Sequence, residues 1–531
     1  MSTRITRLVG CALVVLTIVV VMVNQRDVGI ARDETVYMGA GARYWHWFMH
    51  PAAIEPTWGG PLGGGNNPEH PPFVKELEGI SHAAFSGVLG EVAAYRLPSA
   101  VLHGACVGLV FWMTLSLWGF AEAVIAALCL LLLPRALFHA GLAAFDAPIM
   151  TLWFATVVAY WRCIGPGRQA KPGDLHPRGR KWPWQVGVAW GLALATKHTA
   201  LLLPFALGVH YVFLAWRAKK PLVHWRVAAS LAVLGPLVLY ALWPLLWTAP
   251  IAHVSAWLKF HTHHVHYNFE YLGTNWNHPR FPWHVALVTT LFTVPTATLA
   301  AAVAGAGVWI ARRGTVDRDR APVLLLALSA AASIGPFFLG STPIFGAEKH
   351  WMPVLPTICI AAGVGAVWAA RRFAAAFAKV PERVAIIAVG ACIALAGTTE
   401  VVTAHPYALT WYSALAGGSP GGADLGMNRQ FWGVAAKGVL PFLRSQPPGL
   451  VYAHDASPAW GWYIKDGLLP GGDGDAGHET EGIARSKYAI VIHEKHFNRH
   501  DYLIWSAYRT TQPVFVLRAD GVPVVSVYRR P

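Results

Sequence analysis

The feature that most constrains the fold is a series of apolar segments that recurs along the chain from Leu8 to Val402. A helix needs about 20 mostly apolar residues to cross a bilayer, and these segments reach that length. Of all residues, 55% are hydrophobic and only 13% are charged, which excludes a set of soluble domains. The sequence therefore predicts an all-α polytopic membrane protein, with about 11 transmembrane helices in residues 1–403.

The basic residues indicate how the helices are oriented. Arg4 and Arg7 precede the first apolar segment, and further basic residues fill the short loops 168–181 and 312–320. Short loops rich in Lys and Arg stay in the cytoplasm. We therefore expect a multi-pass protein of the plasma (inner) membrane, with a cytoplasmic N-terminus and residues 8–23 retained as a signal-anchor. The net charge of +15 reports this orientation, so the expected partner is the lipid bilayer and not nucleic acid.

Two regions are expected outside the cytoplasm. Residues 24–95 form a long first outer loop whose amphipathic stretches predict helices lying on the membrane surface. Residues 404–531 have a soluble composition and predict a small extracytoplasmic α/β domain. We expect a helix at 429–444 and strands at 450–453, 488–493, 514–517 and 522–528, the last two joined in a hairpin. All six cysteines fall in apolar segments, so no disulfide framework is indicated.

Charged residues stand directly after the first apolar segment, where a membrane helix should meet water. They are Arg32, Asp33 and Glu34. Charged residues at the end of a membrane helix are energetically costly to bury and are typical of functional sites. The alternative is that Asp33 and Glu34 only cap the helix that follows.

Other polar residues that are unusual for their position fall on the same predicted outer side. They are Glu69, His70, Lys75, Arg96, Asp146, Lys197, Lys349 and His350. Carboxylates there could activate an acceptor, and cations could hold an anionic head group. Alternatives stay open for three of them. Asp146 could be a helix N-cap, Lys197 could extend its ammonium to the interface, and Arg96 could anchor a helix end.

A group of histidines in the outer loop 248–283 raises the question of a metal. His261, His263 and His264 are weak candidates for divalent metal ligands, because their spacing is not a defined zinc pattern. The alternative is an interfacial loop without metal. The sequence requires no cofactor and leaves a divalent metal open.

Several short motifs, taken in order, resemble the GT-C membrane glycosyltransferases of the protein O-mannosyltransferase and aminoarabinose transferase type (glycosyltransferase family 39-like). The resemblance covers roughly residues 1–402 and rests on Arg32-Asp33-Glu34, 70–75 (HPPFVK), 145–148 (FDAP), 191–197 (GLALATK) and 349–351 (KHW). It implies a hexosyl- or pentosyltransferase that moves a sugar from a polyprenyl-phosphate-linked donor to an acceptor outside the cytoplasm. The acceptor could be a protein, a lipid or a cell-envelope glycan.

The resemblance also implies roles for individual residues. Asp33 matches the catalytic acid of the first loop, Glu34 its acceptor-side neighbour, and Asp146 a second acid at an outer helix end. Lys197 and Arg96 match basic positions near the lipid phosphate. The chain departs from the pattern at His70, where aminoarabinose transferases have lysine, and at Trp351, where many members have Arg-Tyr. These departures leave the phosphate ligand and the sugar undetermined. The remaining substrate-binding candidates are Arg32, Glu69, Lys75, Lys349 and His350.

Two other classes of function compete with an enzyme. A transporter would place its charges near the bilayer midplane, on broken helices in repeated halves. Here the charges fall at predicted outer helix ends, and no halves correspond. A non-catalytic glycolipid-binding protein would not require the acids Asp33, Glu34 and Asp146 together. The sequence favours the enzyme.

Overall fold

The computed structural model describes residues 3–50, 67–164, 183–218, 225–311, 317–377 and 379–531. The basic loop 168–181 and the first half of the loop 312–320 lie outside these residues.

Long apolar helices dominate the described part of the chain. Eight of them are long and apolar enough to cross a membrane: Arg4–Asn24, Glu91–Leu117, Asp146–Ile164, His198–Trp216, Trp225–Leu242, Ala321–Phe338, Met352–Ala376 and Glu382–Ala404. Two bent pairs raise the number to ten if each pair is one span: Phe120–Leu131 with Pro134–Ala140, and Val285–Thr293 with Thr296–Ala311. The predicted helical, multi-span architecture is confirmed. The count of eleven is not, because the helix Trp184–Leu194 has only 11 residues.

Proline explains both bends. Pro134 and Pro295 each follow a residue with an extended backbone, Leu133 (φ −87°, ψ 110°) and Val294 (φ −99°, ψ 134°). A proline disfavours helical geometry in the preceding residue and cannot donate a backbone hydrogen bond. The helix therefore breaks and turns by 67° in the first pair and by 120° in the second. The first bend directs the short helix Pro134–Ala140 into the protein interior, where all its residues are buried.

The first outer loop contains the helices Arg32–Met49 and Phe73–Leu89. They pack with their backbones in contact, since a Cβ on Gly41 would lie 2.7 Å from the Lys75 carbonyl oxygen. This close approach fixes the two helices relative to each other, and the first of them carries Asp33 in its first turn. The second helix exposes the large apolar residues Phe85 and Val88, as expected of a helix at a membrane surface.

The C-terminal residues combine short helices with a sheet. Earlier in the chain, an outer-loop hairpin contains β1 (Phe269–Tyr271) and β2 (Thr274–Trp276). The strands of the C-terminal sheet are β3 (Val451–Tyr452), β4 (Tyr488–Ile492), β5 (Phe515–Ala519) and β6 (Val522–Arg529). The sheet order is β3-β4-β6-β5, with β3 and β4 parallel and the other pairs antiparallel. The α-helices are Gly418–Asp424, Leu440–Arg444, Ser457–Lys465, Glu479–Arg485 and Asn498–Tyr508. A 3-10 helix over Val434–Val439 (6 residues) and the helix Leu440–Arg444 (5 residues) together cover the last 11 residues of the helix predicted at 429–444.

The C-terminal residues pack directly on the first outer loop. The Ile30 backbone N–H donates to the Tyr463 hydroxyl (2.8 Å). A Cβ on Gly29 would overlap the Val434 carbonyl group. One apolar core joins Ile30 and Met38 to residues of the sheet and its helices. The division of the chain at residue 403 stays a prediction.

Candidate active site

One cavity of about 530 Å³ gathers most of the polar residues that the sequence singles out. It lies between the first outer loop, the start of the helix Asp146–Ile164, the segment 197–202, the outer loops and the C-terminal residues. Of the predicted site residues, those that line it are Arg32, Asp33, Glu69, His70, Asp146, Lys197, His261, His264, Lys349 and His350. The structure therefore brings ten of the fourteen candidates to one space.

Asp33 presents a carboxylate to this cavity. It stands in the first turn of the helix Arg32–Met49, where the N–H groups and the helix dipole favour negative charge. Its side chain is 29% exposed, and its charged neighbour is the Arg32 guanidinium, with Nε 3.4 Å from Oδ1. The carboxylate therefore keeps lone pairs available for a bound molecule.

Glu34, the next residue, does not reach the cavity. It is fully buried and accepts hydrogen bonds from the backbone N–H groups of Ala31 and Ala143 and from Nε and one terminal N–H group of Arg96, each at 2.8 Å. Glu34 thus caps its own helix, the alternative that the sequence left open for it. The acceptor-side position expected of Glu34 is not what the structure gives, because four donors already occupy its two oxygens.

Arg96 is likewise absent from the cavity lining. Besides Glu34, it donates to the backbone carbonyl groups of Gly29 (2.7 Å) and Gln25 (3.0 Å). Arg96 therefore ties the first outer loop to the helix Glu91–Leu117.

Asp146 and Lys197 form a buried ion pair on the cavity wall, with Nζ 2.7 Å from Oδ1. Asp146 is the first residue of its helix, and His139 Nδ1 lies 3.9 Å from its other oxygen. Lys197 does not extend to an interface but pairs with this acid. Because its charge is already balanced, Asp146 is less available than Asp33 to take a proton.

Lys349 presents an ammonium group to the same cavity. Its Nζ lies 3.9 Å from the ring centroid of Trp432 and 4.9 Å from that of Phe345. In the described ranges, no residue accepts a hydrogen bond from this ammonium. Burial lowers the pKa of Lys349 to about 8, although Asp146 and Asp33 act in the opposite direction. A cation with unused donors in a partly apolar site is suited to bind an anion.

Lys75 lies behind the cavity wall and not in it. Its ammonium donates to the carbonyl groups of Asn67 (2.7 Å) and His70 (2.8 Å), which holds the segment that presents Glu69 and His70. Burial lowers the pKa of Lys75 to about 7. Lys75 is therefore a support for the wall in this structure.

The three histidines proposed as metal ligands do not converge. His261 Nε2 lies 2.9 Å from the Glu69 carbonyl oxygen, and its ring stacks on His198 at 3.6 Å. His264 stacks on Phe345, and the exposed His263 is near the Lys259 carbonyl group. In the described part of the chain, no group of three or more His, Cys, Asp or Glu side chains is arranged to hold a metal ion.

Comparison with known proteins supports the resemblance seen in the motifs. Residues 69–243 match the family model of dolichyl-phosphate-mannose-protein mannosyltransferases. Among curated proteins, none matches the chain by sequence. Among solved structures, the chain is similar to ArnT from Cupriavidus metallidurans in the apo state, with 16% identity, 99% of this chain and 98% of that chain covered, and a TM-score of 0.52.

A second solved structure gives the same result. It is the archaeal oligosaccharyltransferase AglB from Archaeoglobus fulgidus in complex with an inhibitory peptide and a dolichol-phosphate, with 13% identity, 94% and 71% of the two chains covered, and a TM-score of 0.50. The chain has the GT-C fold. Because the alignment with ArnT spans nearly the whole chain, the GT-C similarity includes the C-terminal residues.

The cavity also contains residues that the sequence did not single out. The C-terminal residues supply Trp432, Asp455 and Glu494 to the lining. A sequence signal existed for the two acids, because each follows a predicted strand. Behind the wall, Arg135 pairs with Glu348 (2.9 Å). Arg135 belongs to the bent helix pair and was missed because it falls within an apolar segment, whereas Glu348 stands out in the sequence beside Lys349 and His350.

Proposed function

We propose that the chain is an integral-membrane glycosyltransferase that moves a sugar from a polyprenyl-phosphate-linked donor to an acceptor on the extracytoplasmic side. The observation that carries the proposal is the presence in one cavity of an available carboxylate, Asp33, and of an ammonium, Lys349, that has no hydrogen-bond acceptor among the residues the structure describes. The family model matched by residues 69–243 is named for a dolichyl-phosphate-mannose donor, and AglB was solved with a dolichol-phosphate. Both support a polyprenyl-phosphate carrier.

Lys349 is the proposed ligand of the lipid phosphate. When the sugar leaves, the phosphate oxygen that was bonded to its C1 gains negative charge. Fixed cationic donors in a site with little water stabilise such developing charge strongly. Lys349 can donate up to three hydrogen bonds, while the faces of Trp432 and Phe345 support its charge.

Asp33 is the proposed general base. The acceptor hydroxyl or amine attacks C1 of the sugar, the bond between C1 and the phosphate oxygen breaks, and the acceptor proton passes to the Asp33 carboxylate. One displacement of this kind inverts the configuration at C1. Asp33 suits this role better than Asp146, since Lys197 already neutralises Asp146 at 2.7 Å.

The apolar side of the cavity suits the lipid part of the donor. Leu201, Leu202, Leu258 and Phe337 line it, next to helices long enough to cross a membrane. A polyprenyl chain could lie along these side chains while its phosphate reaches Lys349. The loop charges support an extracytoplasmic position for this end of the bundle.

The test is incubation of the purified full-length chain with radiolabelled undecaprenyl phosphate carrying mannose, glucose, galactose or arabinose, together with a cell-envelope fraction as acceptor. Movement of label from the lipid to the envelope fraction supports the proposal. In sealed vesicles, flux of the labelled lipid without transfer would instead support a transporter. Binding without transfer or flux would support a non-catalytic glycolipid-binding protein.

A further inference from the structure

The C-terminal side of the cavity carries two acids at one edge of the sheet. Asp455 follows β3 and Glu494 follows β4, and these strands are parallel neighbours. The carboxyl ends of parallel strands meet at the same edge, which explains why residues so far apart in sequence line one cavity. The two acids have different surroundings. Asp455 is paired with Arg32 at 2.7 Å.

Glu494 has no comparable partner. The residue is only 8% exposed, and its Oε1 has no hydrogen-bond partner among the residues described. Among the described residues, the imidazole of His496 lies near its other oxygen, with Nδ1 at 3.6 Å, beyond hydrogen-bond distance, and burial lowers the pKa of His496 to about 4, so this ring is a neutral neighbour at pH 7. A buried polar atom left without a partner destabilises a protein, and a ligand or a water molecule in the cavity would satisfy it.

The position of Glu494 is fixed from both sides. The preceding strand β4 lies inside the sheet. The following residue, Lys495, donates its backbone N–H to the Glu270 carboxylate and its ammonium to the Gly273 carbonyl group (2.8 Å), both in the hairpin of β1 and β2. The carboxyl group of Glu494 is therefore held against the cavity by a well-anchored loop.

The charges nearby indicate which ligand chemistry fits. Burial and the neighbouring carboxylates Asp455 and Glu270 raise the pKa of Glu494 well above its usual value. A protonated carboxyl group both donates and accepts hydrogen bonds, as a sugar hydroxyl also does. Trp432 and Phe497, which also line the cavity, add aromatic surface for a sugar ring.

We propose, resting on the function proposed above, that Glu494 is a subsite for the hydroxyl groups of a neutral carbohydrate, supplied to the cavity by the C-terminal residues. The carbohydrate is either the sugar of the donor or a sugar of the acceptor. Glu494 positions this substrate and takes no part in bond breaking. The C-terminal residues thereby contribute to substrate specificity.

The test uses the labelled sugar-lipid that the wild-type chain transfers, and compares Glu494→Ala with Glu494→Gln. We expect Glu494→Ala to raise one KM on the order of tenfold, since it removes a hydrogen bond in a buried site. Glu494→Gln keeps a donor and an acceptor and should stay within about twofold of wild type. The matched control is Glu481→Ala, which changes an exposed acid outside the cavity lining.

The two sources of the carbohydrate are separated by which KM changes. A higher KM for the sugar-lipid, with unchanged affinity for undecaprenyl phosphate alone, assigns the subsite to the donor sugar. A higher KM for the envelope fraction assigns it to the acceptor. The inference is overturned if Glu494→Gln raises the KM as much as Glu494→Ala does, or if neither the KM for the sugar-lipid nor the KM for the envelope fraction changes. In both cases, sugar transfer by the wild-type chain leaves the proposed function standing. A wild-type chain that transfers none of the sugars overturns both.

Discussion

Replacing Glu34 tests the distinction that the structure makes between the two adjacent acids. In Glu34→Ala, the Arg96 guanidinium loses its carboxylate partner, and the N–H groups of Ala31 and Ala143 lose their acceptor. Both side chains of the ion pair are nearly inaccessible, at 2% and 0% exposure, so water cannot replace the lost bonds.

The expected cost follows from this geometry. Removing one partner of a buried ion pair typically destabilises a protein by about 3–5 kcal/mol. Arg96 keeps its bonds to the carbonyl groups of Gly29 and Gln25, which favours the lower end of that range. Adding Arg96→Met to Glu34→Ala should restore part of the loss, because no buried charge then remains without a partner.

The assay is thermal unfolding of the purified chain in detergent, followed by tryptophan fluorescence, with Glu481→Ala as the control at an exposed acid. We expect a clearly lower Tm for Glu34→Ala, a smaller decrease for the double variant, and none for the control. A Glu34→Ala chain with wild-type Tm that has lost only sugar transfer would refute this reasoning and assign Glu34 to the acceptor.

Three further predictions concern the cation side of the cavity. Because burial lowers the pKa of Lys349 to about 8, its ammonium loses a proton as pH rises through that value. The affinity for undecaprenyl phosphate should therefore fall between about pH 7 and 9, and Lys349→Arg should flatten this dependence of affinity on pH. Lys349→Met should weaken that affinity by about tenfold or more, measured by titration at pH 7. Asp146→Asn should lower Tm, because it leaves the buried Lys197 without its carboxylate partner, and adding Lys197→Met should recover part of the loss. Equal Tm values for the wild type, the single variant and the double variant would contradict the buried ion pair.

The parts of the fold that could be predicted depend on signals within a single segment. A long apolar run specifies a membrane helix by itself, so the spans were predictable from composition and length. The hairpin of β5 and β6 was also predictable, because Asp520 and Gly521 both adopt the positive φ that its turn requires. The crossing expected of the short helix Trp184–Leu194 stays a prediction, since neither its sequence nor its length of 11 residues indicates whether it crosses the bilayer.

The site was predictable only in part, because it depends on contacts between distant segments. Asp33 and Glu34 are neighbours on one helix, and successive helical residues point in different directions. The direction of Glu34 was decided by Arg96, which stands 62 positions farther along the chain. The contribution of Asp455 and Glu494 required knowing that β3 and β4 are parallel neighbours, and a sequence does not specify that pairing.

The central claim is that Asp33 takes the acceptor proton in a sugar transfer whose lipid phosphate is held by Lys349. Its most direct test is the transfer rate of Asp33→Asn beside Asp424→Asn, a control at an exposed acid outside the cavity lining. We predict that Asp33→Asn lowers the rate by about 10²–10⁴-fold, with Tm and the affinity for undecaprenyl phosphate unchanged. Wild-type turnover by Asp33→Asn would contradict the account.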